Sequence, residues 1–113
     1  MNLQQVIESL DLKVLTRPRD FRRVVPTSGY ASDLLSCVMA GAKNGGLWVT
    51  LQAHMNIVAV AALLETSAII ITEGARPEAA VIEKANEQEI ILLSTSLPTF
   101  AVVGKLWEMG LRD

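Results

Sequence analysis

A chain of 113 residues fits one domain, residues 1–113, with room for a single core, and its formal charge of -2 gives no general pull toward nucleic acid or an anionic membrane. Half of the residues are apolar and only 4% aromatic, so the core must come from Val, Ile, Leu, Ala and Met, a bias that suits parallel strands buried on both faces. Cys37 is the only cysteine and His54 the only histidine, which leaves no disulfide framework and no Cys/His metal site within one chain and points to a reducing compartment, the cytoplasm.

The opening stretch, MNLQQVIESLDLK, carries polar residues throughout and reads as neither a signal peptide nor a membrane span. Leu3, Val6, Ile7 and Leu10 share one helical face behind Asn2, a natural N-cap. Leu12 to Thr16 alternates at period two and predicts a strand. Residues 17–28 read as a loop between Pro18 and Pro26, with Val24-Val25 as a short edge strand at most. From Ser28 the pattern predicts a helix striped by Leu34, Leu35, Val38 and Met39, ending at Gly41 and the turn Lys43-Asn44-Gly45-Gly46.

Leu47 to Thr50 predicts a short strand, and Asn56 to Leu64 is a helix or a strand by periodicity, with the four alanines of 53–62 favouring a helix. The clearest strand is Ala68 to Thr72, apolar on both faces and therefore expected at the sheet centre, closing on the Glu73-Gly74 turn. Pro77 then opens a helix with Glu78 in its first turn, and Ile90 to Leu93 makes a second buried strand. The last helix starts near Pro98 or Thr99, is expected to turn Phe100, Val103, Leu106 and Trp107 inward, and stops at Gly110. Such alternation predicts an α/β fold of three layers, a mainly parallel sheet covered by helices.

Between 47 and 107 the pieces Ile71-Thr72-Glu73-Gly74, Arg76-Pro77-Glu78, Ile90 to Ser94 and Thr99-Phe100 follow one another in an order and spacing that resembles the DRTGG domain family, more faintly over 14–46. The resemblance implies a regulatory module. Members of that family stand beside other domains in phosphotransacetylases, in pyrophosphatases carrying nucleotide-sensing CBS pairs, and in proteins related to the amino-terminal domain of HPr kinase. It also implies a separate protein partner for a copy that stands alone. The Asp-Arg-Thr-Gly-Gly string itself is absent, and Thr72-Glu73-Gly74 replaces the usual Thr-Gly-Gly with a carboxylate that opposes phosphate.

For ligand contact, His54 is the first candidate, since it follows Thr50 and Gln52 beyond a strand end, with a solvated or helix-capping role as the alternative. Arg17, Arg19, Arg22 and Arg23 form a cationic cluster suited to phosphate or carboxylate, or a solvated loop partly neutralised by Asp20 and Asp11. Gly29 to Asp33 is either an anion cradle or an ordinary capped helix start. Ser94, Thr95, Ser96 and Thr99 would form a polar crevice with Thr72 and Gly74 if the two strands are neighbours; otherwise they cap helices.

No paired acid and base, activated nucleophile, metal cluster or cofactor motif is visible, so the chain reads as a non-catalytic interaction module with a small anionic ligand. The alternative is a small enzyme acting on a phosphorylated or acyl substrate through His54 or Cys37. No aromatic interleaving supports nucleic-acid binding, and Trp48 and Trp107 are expected in the core or at a contact. Positive mean hydropathy predicts a homodimer, with the helix at 55–64 and the strand Leu47 to Thr50 as the contact surface; the alternative is that the helix lies wholly beneath the sheet and leaves no patch.

Overall fold

Asn2 caps the first helix, α1 (Leu3–Leu10), accepting from the Gln5 amide while the Gln5 side chain accepts from the Asn2 amide. The computed structural model describes all 113 residues. Strand β1 (Lys13–Val14) is shorter than the alternation of Leu12 to Thr16 predicts, although the Leu15 amide and the Thr16 hydroxyl continue the contact through Leu92. Phe21–Arg23 forms a single 3-10 turn capped by Asp20, and no strand forms at Val24-Val25. The Val24 carbonyl is instead taken by the Leu3 amide.

The helix expected from Ser28 is corrected: strand β2 (Gly29–Ala31) occupies its first residues, and α2 (Leu35–Gly41) begins only after it. The reason is non-local: β2 finds a parallel partner in β3 (Leu47–Thr50), with Tyr30 in register with Trp48. The rest alternates through α3 (Asn56–Leu64), β4 (Ala68–Ile71), α4 (Ala79–Glu87), β5 (Leu92–Ser94) and α5 (Thr99–Glu108), except that α4 starts two residues after Pro77, with Glu78 as its extended N-cap rather than in its first turn.

The sheet has five strands in the order β1-β5-β4-β3-β2, parallel except for β1, which lies antiparallel along β5 at the edge. The central place falls to β4, as its two apolar faces require. Ala68 and Ile70 join Leu47, Val49 and Leu93 against α1 and α5, while Ile69 and Ile71 join Trp48 and Leu92 against α2, α3 and α4. Ile69, Ile70 and Ile71 are wholly buried, and each such burial is worth roughly 1.5–3 kcal/mol. Three layers result, with two helices on one face and three crossover helices on the other.

Three expectations about apolar residues are corrected. On α5 the buried positions are Val102 and Leu106, while Phe100, Val103 and Trp107 are exposed. That helix is apolar in two phases, so pattern alone selects no inward face. Most of the surface expected to pair two copies, α3 with β3, is core: all four residues of β3 are buried between neighbouring strands, and α3 buries Ile57, Val58, Val60 and Ala61, leaving Leu63 as its exposed large apolar residue. Likewise, of the α2 stripe only Val38 is buried, with Leu34 and Met39 exposed.

Candidate functional site

Because β4 and β5 are parallel neighbours, with Ile71 beside Ser94, the loops that follow them emerge together at one end of the sheet. Hydrogen bonds zip them into a unit: the Glu73 amide donates to the Leu97 carbonyl at 2.9 Å, and the Gly74 amide to the Thr95 carbonyl at 3.0 Å. Beneath them the wholly buried Thr72 shares a hydroxyl–hydroxyl bond with Thr99. Glu73 adopts a left-handed conformation, φ 61, and its carboxylate accepts from the Thr99 amide at 2.8 Å at the start of α5. An internal anion thus holds the helix terminus where an external one would otherwise be drawn.

Beside this turn lies a crevice of about 590 Å³. Its polar walls are Gly74 and Arg76 from the loop after β4, Ser94, Thr95 and Ser96 from the end of β5, and Asp11 and Lys13 from the first strand and its approach. The antiparallel edge strand makes this possible by setting Lys13 in register with Ser94. Lys13 and Arg76 are free of ion pairs, which join only Arg22 and Arg23 to Asp20 and Lys84 to Glu87. The Thr95 hydroxyl accepts from the Leu97 amide at 3.1 Å, whereas the hydroxyls of Ser94 and Ser96 have no partner within the chain. Two free cations and two free hydroxyls face one carboxylate, Asp11, so the local balance favours an anion. Gly74 sits at φ +71 with nothing within 4 Å of the Cβ it lacks, so the backbone rather than crowding favours glycine there.

Of the residues singled out in the sequence, the structure gathers Gly74, Ser94, Thr95 and Ser96 in the crevice, with Thr72 and Thr99 directly beneath the zipped loops. His54 stands apart, its Nδ1 accepting from the Asn56 amide at 3.2 Å at the start of α3. Arg17 and Arg19 lie at the other end of the sheet, where the Arg17 amide donates to Asn86 Oδ1 at 2.9 Å and Arg19 Nη2 to the Glu89 carbonyl at 3.4 Å, beside the C-terminus of α4. The side-chain hydrogen bond from Arg22 holds the Asp20 carboxyl below its ordinary range. The Gly29 to Asp33 segment makes no cradle: Asp33 Oδ1 accepts from the Thr50 hydroxyl and the Leu51 amide, both at 2.8 Å. Cys37 is exposed on α2, and no three of the His, Cys, Asp and Glu residues converge to hold a metal ion.

Lys13 and Arg76 are the residues that sequence reasoning missed. Arg76 stands within the segment carrying the family likeness, but Lys13 reaches the site only through an antiparallel pairing that alternation cannot reveal.

The model of the DRTGG domain family matches residues 5–109. Among solved structures, the chain is similar to the CBS and DRTGG domains of the regulatory region of Clostridium perfringens pyrophosphatase, complexed with its activator diadenosine tetraphosphate. The two superpose with a TM-score of 0.75 at 19% identity, over 90% of this chain and 44% of that one, so this chain spans less than half the length of that region. No curated protein matches it.

Proposed function

We propose, since this chain belongs to the DRTGG domain family, that it is a cytoplasmic, non-catalytic regulatory module. In this reading it self-associates as a homodimer, signals to a protein partner, and senses a small phosphate-bearing ligand of the nucleotide class in the crevice beyond β4 and β5. The observation that carries the reading is the presence of two unpaired cations, Lys13 and Arg76, on the walls of a crevice of about 590 Å³ whose other polar groups are mostly hydroxyls. That volume lies within the few hundred to about 1,000 Å³ of small-molecule sites. A guanidinium takes a phosphate by two parallel hydrogen bonds, and an ammonium adds a point charge.

The Glu73 carboxylate supports the same reading from the other side. It repels phosphate from the start of α5 and leaves Lys13 and Arg76 as the favourable positions for ligand charge. Support of a looser kind comes from the pyrophosphatase regulatory region, which is complexed with a dinucleoside polyphosphate.

Thermal unfolding against diadenosine tetraphosphate, ADP, AMP and pyrophosphate tests the proposal. A ligand present at 100 times its Kd stabilises the folded form by about 2.7 kcal/mol, a readily measured rise in melting temperature. The rise is expected for the wild type and expected to vanish in Lys13→Ala/Arg76→Ala. No rise with any of these phosphates, or an equal rise in the double variant, overturns the site. His54→Ala and Cys37→Ser should bind as the wild type does, since neither residue lines the crevice; a turnover abolished by either change would instead establish an enzyme.

A further inference from the structure

We infer that the outward face of α5 is the contact surface of a two-fold homodimer, in which Phe100 of each copy seats in a groove between α5 and β2 of the other. The inference rests on the self-association proposed above and names its interface.

Phe100 is 91% exposed, Trp107 54% and Val103 36%. With Gly104 they fall at i, i+3, i+4 and i+7, on one side of the helix. A buried aromatic side chain contributes about 150–250 Å², so these residues leave on the order of 350 Å² of apolar surface open to water. A patch of that size falls within the roughly 300–600 Å² of a monomer's largest apolar patch, which is often a functional surface, and it is nearly half of the roughly 800 Å² that one partner gives to a standard interface.

The groove beside the patch supplies further surface. It encloses about 140 Å³ between Tyr30, Ala31 and Val49 of the sheet and Leu106, Trp107 and Leu111 on the helix side. A dry cavity of about 150 Å³ takes up a benzene ring, so the groove is of the size to hold one phenyl side chain. Arg112 stacks over the Trp107 ring, 4.3 Å from its centroid, and fixes that wall.

The occupant is a second copy because the stripe is nearly symmetric about its own middle. An aromatic stands at each end, with Val103 and Gly104 between. A two-fold axis passing between those two brings Phe100 of one copy level with Trp107 of the other, each about 5 Å along the helix from the axis at 1.5 Å per residue. The middle is bare: a Cβ added to Gly104 meets nothing within 4 Å, so a second helix can approach closely. The nearby charged residues, Lys105, Glu108, Arg112 and Asp113, are two of each sign. A second copy therefore meets no net repulsion, and a strongly acidic or basic partner finds no match.

Light scattering at tens of micromolar, with tryptophan emission recorded in parallel, decides the matter. The wild type should weigh twice 12.2 kDa and Phe100→Glu one chain, with unchanged circular dichroism and an unchanged response to crevice ligands. The substitution should raise the dissociation constant by about 30-fold or more, as loss of an interface anchor does. Trp48 is wholly buried within each chain, so a red shift of emission on dissociation reports Trp107. Gly104→Arg, which fills the bare middle without touching the core, should act in the same way. A wild-type mass of one chain overturns self-association and this interface with it. A wild-type dimer that neither variant weakens overturns the interface alone.

Discussion

At Glu73 two local effects oppose each other. A non-glycine residue at φ 61 is strained by roughly 1–2 kcal/mol, and a carboxylate that accepts the first amide of a helix returns about 1 kcal/mol. Glu73→Ala keeps the strain and loses the cap, so it should cost about 1 kcal/mol. Glu73→Gly loses both and should leave stability close to that of the wild type. Urea midpoints separate the two: an equal loss in both would show that the left-handed backbone carries no strain, and a Glu73→Ala protein as stable as the wild type would show that the carboxylate contributes nothing. A second residue-scale expectation concerns Asp20, whose carboxyl the Arg22 hydrogen bond holds below its ordinary value of 3.8. A carboxyl with a lowered folded pKa stabilises above its unfolded value and loses that contribution as pH falls through the folded one. The pair is exposed, so the contribution to stability is small and the titration itself is the better readout. By carboxyl NMR, Asp20 should titrate below 3.8 in the wild type and return toward it in Arg22→Ala. Titration at the ordinary value in both proteins would mean that the bond is not populated in solution.

At the scale of elements, legibility followed burial. The run Ala68 to Thr72 announced a central strand because it is apolar on both faces, and no other position in a sheet suits such a run. Asn2 announced α1 because its side chain and that of Gln5 cap the helix within a few residues. The element misread was β2, whose three residues have no strand pattern of their own and are held by β3, and by Tyr30 lying over α2. That packing makes a prediction. A methyl added at Gly41 comes within 2.5 Å of Tyr30 Cε1, so Gly41→Ala must displace the ring and should cost about 1–3 kcal/mol. Gly104→Ala is the control on a helix with open space, and in the Phe100→Glu background it should gain up to about 1 kcal/mol from helix propensity alone. A Gly41→Ala protein as stable as the wild type would show that the α2–β2 contact is loose. The inward phase of α5 was illegible for a different reason, since its second apolar face has an assignment only if something outside the fold covers it.

Across the whole molecule, the two cores share one sheet, so neither can melt while the other stands. Unfolding should be a single transition, with near- and far-ultraviolet circular dichroism coinciding in urea; transitions that separate would show that residues 1–113 do not behave as one unit. Half of the crevice was legible at this scale, because parallel strands discharge their loops at a common end and Gly74, Ser94 and Thr95 follow from that. The other half was not, because the edge strand runs the opposite way, and its partner is chosen by the sheet.

That edge strand has a consequence for timing. Only two residues of β1 pair with β5, at the rim of the sheet, and one of them is Lys13. The wall most easily frayed is therefore also a wall of the crevice beyond β4 and β5. The ligand proposed for Lys13 and Arg76 would act as a latch between β1 and the loops that follow β4 and β5. During synthesis the proposed site would be complete only once β5 has been made, and in the folded protein its ligand should slow amide exchange at Leu15 more than anywhere in β3 or β4.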